Sequence, residues 1–210
     1  MPDLDNFDHS YEAELLEVSY DAIRNKDCLQ IVSDADQKKA IHQKALGVLA
    51  IPHEAVFTFP NLFKMSMPNG TFHIAQSLFD FGYPVSRRLS QSLHKYHFQV
   101  IGIADVKIDL GKTLLRRETR TDKVVTRFFG NDIDFTGTEK FNDKYYLVSD
   151  KKDAITQTFD KNFVNTLVKY DDLVLMTNVN VMVITFESEM KEEHAAIIEE
   201  IFSHFNFLAG

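Results

Sequence analysis

The chain lacks tryptophan altogether and has one cysteine in its 210 residues. The lone Cys28 cannot close an intramolecular disulfide, and it excludes any metal site built on several thiolates. It follows Lys26-Asp27 in an acidic stretch, a poor setting for a stabilised thiolate. No apolar run approaches the about 20 residues that a membrane-spanning helix needs. The opening residues, MPDLDNFDHS, lack the basic and then apolar regions of a secretion signal, so a soluble cytoplasmic protein is the expectation. Positive charge is also short: 23 Lys and Arg against 31 Asp and Glu leave a net −8. Such a chain repels phosphate backbones, which argues against nucleic acid as a general partner. A glycine-rich phosphate loop, a serine nucleophile elbow and a His-Glu-x-x-His helix are all missing, so no cofactor is implied.

Phenylalanine is what the chain has in quantity, with 18 copies. Each ring buries roughly 150–250 Å², so phenylalanine is expected to dominate the core. The length suits one domain spanning residues 1–210, and a chain of this size buries enough surface to need no staples. A break near residue 84 offers a subdivision into an N-terminal helical lobe (1–84) and a C-terminal sheet and helix lobe (85–210).

Periodicity supplies the elements. Residues 9–26 repeat Tyr11, Leu15, Val18 and Ile23 at helical spacing. A second helix opens at Asp34, with Gln37 in capping-box position, and turns Ile41, Ala45, Val48 and Leu49 inward before Pro52 stops it. From Ala55 to Tyr83 the reading is a short strand, a turn at Met67-Pro68-Asn69-Gly70 and aromatic residues packed from irregular backbone. Ser86–His97 reads as a helix, and Phe98–Leu110 as a strand bent or bulged between Ile103 and Val106. Gly111 turns the chain into a strand at Thr113–Glu118, and Lys123–Phe129 is a candidate third strand. Lys144–Ser149 is a strand. The helical stripe Ile155, Phe159, Phe163 and Leu167 follows, with Asp160 placed to cap a second helix inside it. Leu173–Thr177 and Val181–Glu187 flank a hairpin turn at Asn178-Val179-Asn180, and Met190–Phe207 closes the chain as a helix. This order lacks βαβ alternation. It predicts an α+β fold, a mainly antiparallel sheet packed against several helices, with an N-terminal helical part.

The run Gly130-Asn131-Asp132-Ile133-Asp134-Phe135, then Glu139-Lys140-Phe141-Asn142-Asp143-Lys144-Tyr145-Tyr146-Leu147, resembles the C-terminal half of a bacterial family classed only as a domain of unknown function. The resemblance covers roughly residues 113–186. It implies the element boundaries given above and carries no catalytic residue over.

Four groups of residues are candidates for chemistry. Asp132-Ile133-Asp134-Phe135-Thr136 has the Asp-x-Asp-x-Thr form with which some phosphohydrolases open their site, one Asp as nucleophile and the other as acid/base beside Mg²⁺. That chemistry needs the end of a buried parallel strand. The competing expectation is that Asp132 and Asp134 cap a turn through neighbouring backbone N–H groups. His94 and His97, three apart at the end of the expected helix, could share a metal, or could simply suit the helix terminus. Arg116 and Arg120, with Lys112, Arg117, Lys123 and Arg127, form the one basic concentration, a candidate anion or acidic-partner surface. Phe57, Phe63, Met65 and Met67 form a Phe/Met segment suited to an apolar ligand or a partner protein, or to plain core.

The reading that follows is a non-catalytic ligand- or protein-binding protein that uses the Phe/Met segment and an exposed part of the sheet. A small metal-dependent hydrolase working through Asp132 and Asp134 is the alternative. A structural subunit of an assembly, with homo-oligomers among its forms, is a third.

Overall fold

The computed structural model describes residues 29–49, 51, 55–84, 92–119, 132–186 and 190–207. The expected helix over 9–26, Cys28, Arg120 and the candidate strand 123–129 lie outside them.

The described chain folds as an α+β protein with eight antiparallel strands and five helices. Strands β1 (Leu29–Ile31), β2 (Ala55–Met67), β3 (Gly70–Pro84), β4 (Ser92–Asp105), β5 (Thr113–Arg117), β6 (Tyr145–Ser149), β7 (Leu173–Asn178) and β8 (Val181–Phe186) form one sheet. Its spatial order is β1-β2-β3-β4-β8-β7-β5-β6. Helix α1 (Ala35–Val48) lies on one face. On the other pack α2 (Glu139–Asn142), α3 (Lys152–Thr158), α4 (Lys161–Leu167) and α5 (Glu192–Ser203). Among the described residues no helix is long and apolar enough to cross a membrane.

Residues 55–84 depart from expectation. The irregular aromatic stretch is two long strands, β2 and β3, joined at Pro68-Asn69. The alternation that betrays a strand is obscured because β2 slips register between Thr58 and Asn61. A bulge exchanges the two faces of a strand. Phe57 therefore joins Leu62 in the core under α1, while Phe63 and Met65 point into the larger core on the other side. Of the bend or bulge expected between Ile103 and Val106, no bulge is present, and the chain bends just beyond, at Lys107 and Ile108. β4 keeps continuous register with β8 from Val100 to Asp105 and ends there. Its pattern misleads because both faces are covered: Ile101 and Ile103 belong to one core, Val100 and Ala104 to the other. Gly102 belongs here for want of room, since a Cβ on it would stand 2.6 Å from Ile198 Cγ2 of α5.

The helix expected over Ser86–His97 is corrected in its last part. Residues 92–97 belong to β4, pairing with β3 from Pro84 to Phe79. His94 and His97 are therefore strand residues, and the helical spacing that would gather two imidazoles does not apply.

The helical expectations elsewhere fare better. Asp34 caps α1, its carboxylate accepting from Gln37 N at 2.7 Å. Asp160 divides the stripe of residues 151–170 into α3 and α4 by accepting from Phe163 N at 2.8 Å. Phe163 is 1% exposed, with edge-on contacts to Phe159 at 4.7 Å and Phe205 at 5.2 Å between ring centroids. Asn69, at the β2–β3 turn, donates through Nδ2 to Phe205 O at 2.5 Å and so satisfies a carbonyl just past the end of α5. Phe163→Ala empties a ring's volume in a packed core and should cost about 3–5 kcal/mol. Chemical denaturation checks this, with the transition expected at clearly lower denaturant.

Candidate functional site

Asp132 is an edge guard. β6 ends the sheet, and an unpaired strand edge presents backbone groups that invite foreign strands. Ile133 N donates to Leu147 O at 2.8 Å, and Asp132 Oδ1 accepts from Leu147 N at 2.8 Å and from Ile133 N at 2.9 Å. Asn142 repeats the device, its Oδ1 accepting from Phe135 N at 3.1 Å and its Nδ2 donating to Phe135 O at 3.0 Å. Ile133 is buried, Asp134 exposed and Phe135 half-buried against the rings of Phe141 and Phe159. The Asp-Ile-Asp-Phe run and the Phe-Asn that follows it thus form a staple over a sheet edge. Among the described residues every pairing in the sheet is antiparallel.

Burial raises the Asp132 carboxyl above its ordinary value, while the bonds from Leu147 and Ile133 N–H oppose that shift. A raised carboxyl contributes most below its unfolded pKa and loses that contribution as pH rises through its folded value. Asp132→Ala should cost about 0.5–2 kcal/mol at neutral pH by stranding the Leu147 N–H, while the Ile133 N–H keeps its bond to Leu147 O. Asp132→Asn keeps an oxygen for both and should match or exceed the wild type at pH 7. Melts at pH 7 and pH 3 check this: the Asn variant's advantage should vanish at the lower pH, where the wild-type carboxyl is protonated.

The Phe/Met segment is spent on packing. Phe57, Phe63 and Met65 are buried, and Met67 packs partly buried against the larger core. They do not form an accessible surface, and none of them lines either cleft described next.

One cleft, of about 570 Å³, lies between the chain leaving α4 and helix α5. Its titratable side chains answer one another. Glu200 accepts from Lys169 Nζ at 2.7 Å and from the Tyr170 hydroxyl. These bonds hold its carboxyl below the usual range. Lys144 pairs with Asp171 at 2.9 Å, and His194 Nδ1 accepts from Lys191 N at 3.0 Å. Burial above all lowers the His194 pKa. The Tyr145 hydroxyl donates to the Leu167 and Tyr170 carbonyls. This network ties the α4–β7 connection to α5.

A third polar group sits beneath α1, where Lys44 pairs with Asp105 at 2.6 Å. Beside it, burial above all, with Lys64 and Lys44 adding, depresses His73 to about 4. Among the described residues no cluster of His, Cys, Asp or Glu is arranged to hold a metal.

The second cleft differs in kind. Helix α1 covers β2, β3, β4 and β8 and ends over β7, where Asn178 Nδ2 donates to Gly47 O at 2.9 Å. Beyond its last turn, β7, β5 and β6 present Met176, Leu114 and Val148 in adjacent register on the same face. With Val48 they enclose about 360 Å³, a volume in the range of small-ligand sites. All four side chains are half-buried. Its two threonines are turned away: Thr177 Oγ1 donates to Gly111 O at 2.7 Å, and Thr113 Oγ1 to Leu110 O at 2.8 Å. Two residues along β5, the Arg116 guanidinium lies over the Tyr146 ring, 5.2 Å from its centroid. Arg116 was legible as a binding candidate through its charge. The cleft was not, because its residues are ordinary strand apolars that meet only through pairing far apart in sequence.

Gly47 lines this cleft within a helix. A Cβ built there meets no atom within 4 Å, and its backbone is outside the left-handed region. Neither crowding nor a turn requires glycine at this position. Gly47 is itself exposed, and the space beside it at the rim of the hollow is open.

No family model, curated protein or solved structure matches the chain. The pattern over residues 113–186 stands on its own residues, many of which serve the edge staple and the core beneath it.

Proposed function

We propose that the chain is a non-catalytic binding protein whose site is the cleft between the last turn of α1 and strands β7, β5 and β6. The carrying observation is the hollow itself, about 360 Å³ beyond the last turn of α1, walled by the half-buried apolar side chains of Val48, Leu114, Val148 and Met176. A concave, mostly apolar site of this size on a packed scaffold is the usual setting for a small ligand. The reading keeps the expected use of the sheet surface and drops the Phe/Met segment. Asp132, already committed to two backbone donors, gives the hydrolase alternative no added support.

N-phenyl-1-naphthylamine, a neutral apolar fluorophore, supplies the test. The wild type should enhance its emission saturably. Gly47→Leu should weaken binding at least tenfold while the melt stays level or rises, since replacing glycine in a helix gains about 0.5–1 kcal/mol. Val148→Glu, on the edge strand, should weaken it independently. No saturable binding, or binding that neither variant disturbs, would sink the proposal.

A further inference from the structure

The charge distribution around the cleft goes further than its shape, and we infer that its ligand is an anionic amphiphile, an apolar body bearing one carboxylate or similar acid group that faces Lys112. This rests on the cleft being the binding site. Lys112 is the one charged residue among those lining the hollow. Four lysines elsewhere are matched with acids: Lys44 with Asp105, Lys144 with Asp171, Lys151 with Asp109 and Lys169 with Glu200. Others, such as Lys38, Lys107 and Lys161, make no ion pair among the described residues, so what sets Lys112 apart is its place on the hollow. Lys112 is exposed and makes no ion pair among the described residues. Asp150 lies beside its backbone, Oδ1 accepting from the Lys112 N–H at 2.8 Å, and does not pair with its ammonium.

The end of α1 would ordinarily favour a cation through its outward carbonyls. Here Gly47 O is occupied by the Asn178 amide and Ala45 O by Leu49 N, which blunts that preference. Lys112 immediately precedes β5 and Arg116 lies on it, two residues either side of Leu114, so a cation stands on each side of an apolar centre. Arg116 is engaged with the Tyr146 ring and with Arg117 O. On a chain of net charge −8 these cations beside an apolar hollow are where an acid would be drawn from solution. The apolar walls then hold the body of the ligand, and the ammonium sets its direction.

Three ten-carbon compounds of one length separate charge from apolar contact: decanoate, decanol and decylamine, each displacing N-phenyl-1-naphthylamine from the intact protein at low ionic strength. Decanoate should displace about fivefold more strongly than decanol, the gain of one exposed ion pair, and decylamine less well than either. The preference should shrink in added salt. Lys112→Gln should bring decanoate level with decanol while leaving decanol unchanged. Equal displacement by decanoate and decanol in the wild type, or a preference that survives Lys112→Gln, overturns the anionic assignment and leaves the cleft standing. A fluorophore that binds but yields to none of the three overturns the amphiphile class. A fluorophore that does not bind removes the site itself, and this inference with it.

Discussion

Burial of strands β4 and β8 on both faces is the constraint from which the rest of the architecture follows. The two pair from Val100–Phe186 to Asp105–Val181 in the middle of the sheet. A strand covered on both sides cannot carry polar residues at alternate positions, so these read as near-continuous apolar runs. Covering them takes two separate layers. The C-terminal helices supply one, with α5 drawn close at Gly102, and α1 supplies the other through Ile41, Ala45 and Leu49. One helix spans fewer strands than four do. The faces are covered unequally, and the cleft lies where the single helix runs out.

The same inequality explains the bulge in β2. Phe57 and Phe63 stand an even number of residues apart and would share a face on a regular strand. The extra residue between Thr58 and Asn61 sends Phe57 to the α1 side, where its ring stacks on His42 at 5.1 Å. Each core thus receives aromatic rings from one strand, which a uniform alternation could not provide.

How much was legible followed from how local each signal was. Caps and turns depend on neighbours three or four residues away, so Asp34, Asp160 and the β7–β8 hairpin could be read directly. The antiparallel α+β class followed from the order of elements. Residues 55–84 could not be read, because a bulge and two buried faces erased the period-two pattern that identifies a strand. His94 and His97 were misplaced because Leu89 and Leu93, four residues apart, suit one face of a helix and equally one face of a strand. The Asp-Ile-Asp-Phe run showed its capping role in outline. That its partner would be Leu147, on an edge strand, depended on pairing that no local pattern records. The cleft was hidden furthest, since Gly47, Leu114, Val148 and Met176 come from four separate elements.

The position of β8 has a consequence for synthesis. Strands β2, β3 and β4 form a meander from consecutive chain, and they can pair as soon as they leave the ribosome. The next neighbour of β4 is β8, and β5, β6, α2, α3, α4 and β7 are all made in between. Throughout that interval the free side of β4 exposes an apolar edge of the kind that pairs with foreign strands. The nascent chain is thus most vulnerable to association with its own copies while its second half is being translated. The risk ends when Val181–Phe186 emerges and the hairpin with β7 closes the sheet.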